Sequence, residues 1–379
     1  MATFVALASG RPPTVDLPAH AILLRHLRDA AAGSSVYELV LAAPYTAFFA
    51  IARVLAVFVD DERAVDLAAA VATALLPVSS AVLAASTRRT PAVGVFALLG
   101  AFTSVLAWGM SSLVLGASAL ALTIAAARSF ARRPTLLRAV LLAACIGFAY
   151  SAHLASWLVA LPASLWVCAT MCRKPSLRLF APSFIAGALT VSAFLSWSAQ
   201  APMPFAQLRS QEPSHFGSAP WSRVLELPDH LAGFGRIHAL LVPWCALVVV
   251  LIALLVANAA RSPRSRARMH GWRVLLAHHA IACVLLGCAL AYFATPLVVQ
   301  PTYFVYPRFL VFAAVLLPAC LPRTASTALL APFALLPALA LTAFVFVEVR
   351  AFADATACVD ELALSMRDNE ALVPLNWTT

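Results

Sequence analysis

The sequence predicts an all-α fold: a polytopic bundle of about ten transmembrane helices, with further interfacial helices on its outer face. Three observations predict it. Of the 379 residues, 63% are hydrophobic and only 11% are charged, whereas a soluble domain carries about 25% charged residues. The hydrophobic residues form long runs, and about 20 apolar residues suffice to cross a bilayer as a helix. The basic residues cluster between these runs, as they do in cytoplasmic loops.

Nine apolar runs are the candidates for these helices. Two of them, 92–127 and 138–171, are too long for one crossing, because a single helix over the first would extend roughly 54 Å. A hydrocarbon core is only about 30 Å thick, so we expect each run to fold back, at Trp108 in the first and at His153 in the second. The other runs are 39–59, 65–85, 179–198, 239–258, 274–295, 308–322 and 327–347.

Four basic clusters orient the bundle. When they are placed on the cytoplasmic side, ten spans alternate without strain from residue 65 to residue 347. Acidic residues are absent from 67–211 and from 230–347, so all sixteen are predicted to lie on the outer face. The basic clusters are Arg88 and Arg89; Arg128, Arg132, Arg133 and Arg138; Arg173, Lys174 and Arg178; and Arg261, Arg264, Arg266, Arg268 and Arg273.

The first run, 39–59, leaves two alternatives. If it spans the membrane, Asp16 and His20 are cytoplasmic; if it lies in the outer interface, they join the other acids outside. Arg53 lies within the run, and an arginine at the centre of a span costs at least about 2.5 kcal/mol. We therefore favour an interfacial or re-entrant helix, and we expect that a first transmembrane helix preceding residues 1–10 is missing.

The chain divides into three predicted segments. Residues 1–64 form an outer-face loop with amphipathic, interfacial helices. Residues 65–350 form the transmembrane domain, which includes a long outer loop at 199–238. Residues 351–379 form a short outer-face tail.

One segment, VDLPAHAILLRHL at residues 15–27, combines an acid with a histidine. Pro18 suits the first position of a helix, so Asp16 should immediately precede that helix. Asp16 then either caps the helix or acts as the catalytic base that deprotonates an acceptor. His20 lies one turn on, on the same face, and either binds substrate, orients the acid or faces water.

Four residues at predicted outer ends of spans are further candidates for substrate binding. Trp108 and His153 lie at the two corners, where each either faces a ligand or anchors the chain in the interface. Arg308 follows Tyr306 at the mouth of a late span. An arginine there can hold an anionic lipid phosphate through two hydrogen bonds, or it can simply snorkel to the interface.

The sequence predicts no metal ligands and no cofactor. It contains no phosphate-binding glycine loop, no dinucleotide motif, no zinc motif and no nucleophile elbow. A divalent metal remains an open question. The loop at 199–238 is long for a connector, and its polar residues either contact a sugar or are solvated.

Five short motifs follow one another along residues 14–350, and their order resembles that of the GT-C fold membrane glycosyltransferases. That superfamily includes the protein mannosyltransferases and the lipid A aminoarabinose transferase. The motifs are Asp16-Leu17-Pro18-Ala19-His20; Ala43-Pro44-Tyr45; Trp108-Gly109 followed by Leu115-Gly116; Ser151-Ala152-His153; and Tyr306-Pro307-Arg308-Phe309.

The resemblance implies sugar transfer from a polyprenyl-phosphate donor on the outer face, with Asp16 as the catalytic acid residue. The expected protein is a glycosyltransferase of the cell envelope in a bacterial inner membrane, with membrane lipids as further partners. Nucleic acid is not an expected partner, because the basic clusters follow membrane topology, and no oligomeric state is predicted. The alternatives are a transporter or flippase-like protein and a non-catalytic assembly subunit; ion-coupled transport is disfavoured because no acid lies in mid-span.

Overall fold

The computed structural model describes residues 17–33, 42–101, 103, 105, 109–171, 177–200, 219, 221–232, 272–297, 305–321, 334–340, 342–343, 347 and 350. In this part of the chain every regular element is a helix, which confirms the predicted all-α class. The elements are α1 (Leu17–Ala31), α2 (Thr46–Leu55), α3 (Asp61–Ser86), η1 (Pro91–Gly100), α4 (Ser111–Arg132), α5 (Leu136–Ala152), α6 (Leu154–Met171), α7 (Leu177–Gln200), α8 (Arg223–Ala232), α9 (Trp272–Ala294), α10 (Arg308–Leu316) and η2 (Leu317–Cys320).

Among the described residues, four helices are long and apolar enough to cross a membrane: α3, α4, α6 and α7. Helix α4 is the centre of the bundle and packs against α3, α5 and α6. Helix α7 lies at the periphery, where Phe184, Ile185 and Leu189 are exposed. Large apolar side chains are stable on such a surface when lipid is the solvent. The protein is therefore an integral membrane protein.

Both of the predicted helix breaks are present. Helix α5 ends at Ala152 and α6 begins at Leu154, and the single residue between them, His153, has an extended backbone. In the first long run, η1 ends at Gly100 and α4 begins at Ser111. Gly109 supplies a turn there with φ of 83°, a conformation that glycine adopts without steric cost. Trp108 itself lies outside the described residues.

The segment before the first break differs from the prediction, which expected two short α-helical spans in the run 92–127. Residues Pro91–Gly100 form a 3₁₀ helix of 10 residues, which extends about 20 Å and is shorter than the hydrocarbon core. Close packing on α3 accounts for its placement, since a Cβ at Gly94 would lie 2.6 Å from the Pro77 carbonyl oxygen and 2.8 Å from the Ala81 Cβ.

A partly buried ion pair joins helix α1 to helix α3. Arg28 Nη1 of α1 donates to the Asp61 carboxylate at 3.2 Å, and Asp61 is buried at the start of α3. Helix α2 has 10 residues, which extend about 15 Å, so it is too short to span. Helix α1 begins at Leu17, as Pro18 predicted, so that Asp16, itself outside the described residues, directly precedes it.

The remaining predicted spans are described in part. Helix α9 covers the run 274–295, and the run 308–322 is divided into α10 and η2, where Pro318 begins a tighter turn. The run 239–258 lies outside the described residues, as does much of 327–347.

Candidate functional site

His153 is the buried centre of the corner between α5 and α6. Its side chain is 4% exposed, and its Nδ1 accepts a hydrogen bond from the Ala155 backbone N–H at 3.1 Å. Burial, and then the nearby positive charge of Arg308, lower the pKa of His153 well below its usual value. The ring is therefore neutral at pH 7. Because Nδ1 accepts, the ring proton is on Nε2, which is a donor.

Gly116 allows this corner to lie directly against α4. A Cβ at this position would overlap the Ser156 Oγ and come within 3.0 Å of the His153 Cβ. Any side chain would therefore push the corner away from α4. The glycine of the Leu115-Gly116 motif thus determines where the imidazole sits.

Arg308 lies next to His153 in the structure, although the two residues are 155 positions apart in the sequence. Its Nη1 lies 3.5 Å from the His153 Nε2. Both nitrogens carry hydrogen in these protonation states, so neither can accept a hydrogen bond from the other. Arg308 is also the first residue of α10, where the helix dipole favours a negative charge. The arrangement therefore attracts an acceptor, and an anion more than a neutral one.

Tyr45 completes the site from α2. Its ring packs edge-on against the His153 ring, with centroids 4.8 Å apart and an interplanar angle of 83°. Burial raises the pKa of the Tyr45 hydroxyl, while the charge of Arg308 opposes that rise, so the hydroxyl keeps its proton and remains a donor. Tyr45 has a φ of 75°, a left-handed conformation that costs a bulky residue about 1–2 kcal/mol. Such strain occurs most often at functional sites.

An apolar groove is linked to this site through Phe309, the residue after Arg308. It has a volume of about 400 Å³ and runs between α6 and α9. Its lining includes Leu158, Trp166 and Gly287, and it reaches Phe309, the neighbour of Arg308. An apolar groove near a cationic side chain can accommodate an amphiphile with an anionic head. We refer to His153, Arg308 and Tyr45 as the corner site.

A second polar cluster is built around Tyr306, two residues before Arg308. Helix α8, within the loop 199–238, places Glu226 and His230 on one face, against Tyr306. The Tyr306 hydroxyl donates to the Glu226 carboxylate at 2.6 Å. It lies 3.2 Å from the His230 Nε2. Because the hydroxyl proton is directed to Glu226, its oxygen accepts from His230. These three side chains satisfy each other.

Arg223 anchors α8 to the bundle. It is fully buried, and its Nη1 donates to the backbone oxygens of Tyr292, Phe293 and Thr295 at 2.7, 3.1 and 2.6 Å. These carbonyls are at the carboxyl end of α9, which favours a positive charge. The guanidinium also lies 4.1 Å from the centroid of the Tyr306 ring. We refer to Arg223, Glu226, His230 and Tyr306 as the α8 platform.

The structure thus divides the predicted site residues. His153 and Arg308 come together, whereas Tyr306 belongs to the platform, two residues before Arg308. The His20 ring contacts Phe48 and Phe49, each at 5.4 Å between centroids, on the helix that follows Tyr45. Asp16 and Trp108 lie outside the described residues.

Sequence reasoning did not select Tyr45 or Glu226 as site residues. Tyr45 entered only as part of a motif. Glu226 could have been found from spacing, since residues at 223, 226 and 230 recur on one face of a helix. In the described part of the chain, no group of three or more His, Cys, Asp or Glu side chains could hold a metal ion.

The fold is that of a GT-C-like polytopic membrane protein. The chain is similar to ArnT from Cupriavidus metallidurans, which was crystallised bound to undecaprenyl phosphate. The TM-score is 0.53 at 13% sequence identity, and the alignment covers 97% of this chain and 64% of that one. The chain thus spans just under two thirds of the length of that neighbour. No family model and no curated protein matches the sequence.

Proposed function

We propose that the protein is a membrane glycosyltransferase that takes a sugar from a polyprenyl-phosphate donor at the outer face of a bacterial inner membrane. One observation carries the proposal: two donor nitrogens, His153 Nε2 and Arg308 Nη1, lie 3.5 Å apart, and Phe309, next to Arg308 in the sequence, lines an apolar groove. A phosphate oxygen is an acceptor that suits both donors. The structural neighbour was crystallised with a lipid of this class.

Arg308 is the residue that we assign to the donor phosphate. In transfer, the acceptor oxygen attacks the anomeric carbon, the bond from that carbon to the phosphate oxygen breaks, and the polyprenyl phosphate leaves with an additional negative charge. A fixed guanidinium and two neutral donors stabilise that charge as it develops. The interaction strengthens as the bond breaks, which is what catalysis requires.

The groove lined by Leu158, Trp166 and Phe309 supports a lipid-linked donor rather than a soluble one. Its apolar lining offers the first isoprene units of a polyprenyl chain a surface continuous with the membrane interior. Burial there contributes roughly 25 cal/mol per Å² of apolar surface. The phosphate at Arg308 and the chain beside Phe309 would then occupy adjacent positions.

Asp16 remains our candidate for the base that accepts the proton of the acceptor. A cap needs only an acceptor oxygen, so asparagine should replace aspartate in that role. A base needs a carboxylate that can take up a proton, and asparagine has none. The two roles therefore make different predictions for one substitution.

Purified protein in proteoliposomes, supplied with radiolabelled polyprenyl-phosphate sugars, tests this assignment. We expect Asp16→Asn to unfold at the wild-type temperature and to lose transfer by about 100-fold or more. Normal transfer by a normally stable Asp16→Asn protein would reduce Asp16 to a helix cap. His20→Ala is the companion variant and should lose less activity if His20 only orients the acid.

A further inference from the structure

A polar pocket lies at the opposite end of α4 from His153. It is formed where α3 and α4 end and α5 begins, and it has a volume of about 560 Å³. Four of its six lining residues are arginines, and none is acidic. The lining residues are Ser86, Arg88, Ser129, Arg132, Arg133 and Arg138.

The pocket joins two basic clusters that are separate in the sequence. Arg88 comes from the first cluster, and Arg132, Arg133 and Arg138 from the second. No Asp or Glu occurs between residues 67 and 211, so the segment that builds the pocket contains no acid. Such a concentration of charge is stabilised by an anion from outside that segment.

The backbone holds two of these arginines in fixed positions. Arg138 Nη1 donates to the Ser129 backbone oxygen at 3.1 Å and to the Arg133 backbone oxygen at 3.3 Å. Arg88 has a φ of 61° at the position after α3 where glycine is the favoured residue. An arginine there costs roughly 1 kcal/mol more than a glycine, so its guanidinium is placed at the pocket at a cost to folding.

Exposed apolar side chains lie close in the sequence to the residues that line the pocket. Leu136 and Leu137, in the first turn of α5, are 82% and 69% exposed. Val82, one turn before Ser86 on α3, is 45% exposed. A soluble anion gains nothing from these side chains, whereas the acyl chains of a lipid can pack on them. Basic pockets between transmembrane helices are suited to anionic head groups.

We propose that this pocket binds the phosphate head group of an anionic phospholipid at the predicted cytoplasmic face. The four arginines contact the phosphate oxygens, and Leu136, Leu137 and Val82 contact the acyl chains. The site is independent of the corner site, which lies at the other end of α4. Its occupant holds together the ends of three helices.

Native mass spectrometry of the full chain, titrated with cardiolipin or phosphatidylcholine, tests the proposal. We compare wild type with Arg133→Gln and with the double variant Arg88→Gln/Arg133→Gln. Arg178→Gln is the matched control, because Arg178 is an exposed arginine at the start of α7, outside the pocket. Each substitution in the pocket should weaken cardiolipin binding about fivefold, or about 1 kcal/mol per basic residue, while the control binds like wild type.

Two results would overturn the proposal. Equal cardiolipin affinity in wild type and the double variant would mean that the arginines only set topology. The second result combines two observations: inorganic pyrophosphate displaces cardiolipin at an equal concentration, and Leu136→Asn leaves the cardiolipin affinity unchanged. Together they would mean that the occupant is a soluble anion. The Arg133 side chain is exposed, and Arg133 accepts the Arg138 hydrogen bond through its backbone, so Arg133→Gln should fold normally.

Discussion

The corner site and the α8 platform lie side by side, and they use similar residues in opposite ways. In the platform, the tyrosine hydroxyl, the carboxylate and the imidazole of Tyr306, Glu226 and His230 satisfy each other. In the corner site, the imidazole of His153 and the guanidinium of Arg308 present donors to each other. Complementary polar groups stabilise a fold, whereas two donors placed close together favour an acceptor beside them.

The position of Arg308 in the corner site depends on the α8 platform. Tyr306 is fixed by the platform and is followed, after Pro307, by Arg308. The platform therefore positions the guanidinium that the corner site uses. Substitutions in the platform should act on stability first and on ligand binding second, and those in the corner site should do the reverse.

The largest expected effect comes from Arg223→Met. It removes the charged donor whose two hydrogens are shared by three backbone oxygens at the end of α9, and we expect a loss of about 3 kcal/mol or more. Thermal unfolding in detergent measures it, with Arg178→Gln as the control at an exposed arginine. An unchanged unfolding temperature would show that α8 does not hold the bundle together.

Gly116→Ala should have the next largest effect. The added methyl group has no room beside Ser156 and His153, and such overpacking costs roughly 1–3 kcal/mol. Unlike Arg223→Met, it should also move His153 and weaken lipid-phosphate binding. Gly147→Ala is a matched control, because a Cβ there meets nothing within 4 Å. Equal behaviour of the two alanine variants would contradict the close contact.

A smaller effect should appear when pH is lowered. The pKa of His153 is depressed in the folded protein, while in the unfolded chain it is about 6.5. The unfolded chain therefore binds the additional proton, so stability is retained above pH 6.5 and falls below it, by about 1 kcal/mol at pH 5.5. His153→Asn keeps an acceptor for the Ala155 N–H but does not titrate, so its stability should depend less on pH. Parallel pH curves for both proteins would show that folding does not change the pKa of His153.

The smallest effect is expected from Tyr306→Phe. It removes one hydroxyl but leaves the ring beneath Arg223 and leaves Glu226 3.6 Å from His230. We expect a loss of about 1 kcal/mol in stability and little change in ligand affinity. A large loss of affinity with unchanged stability would place Tyr306 in the corner site instead.

Sequence reasoning located the breaks in the long runs, because a run longer than the bilayer must fold back. It also located the start of α1 from Pro18. It could not pair His153 with Arg308, since nothing local links residues 155 positions apart. The same holds for Glu226 and Tyr306, 80 positions apart.

The short form of η1 was also beyond sequence reasoning. Its apolar composition matches that of a spanning helix, and only the contact of Gly94 with α3 shows how closely it packs. Tyr45 was missed as a site residue because its left-handed backbone conformation leaves no trace in composition or periodicity. Helical spacing on α8, by contrast, was visible in the sequence.

The central claim is that the corner site binds a lipid phosphate through Arg308. The most direct measurement is the affinity of the purified protein for undecaprenyl phosphate, for wild type, Arg308→Ala, Arg308→Lys and Tyr306→Phe. We predict that Arg308→Ala weakens binding roughly 10- to 150-fold, or about 1.5–3 kcal/mol. Arg308→Lys should restore it only in part because the planar fork is lost, and Tyr306→Phe should bind nearly as wild type. Unchanged affinity in Arg308→Ala would contradict the claim and leave Arg308 as an interfacial anchor.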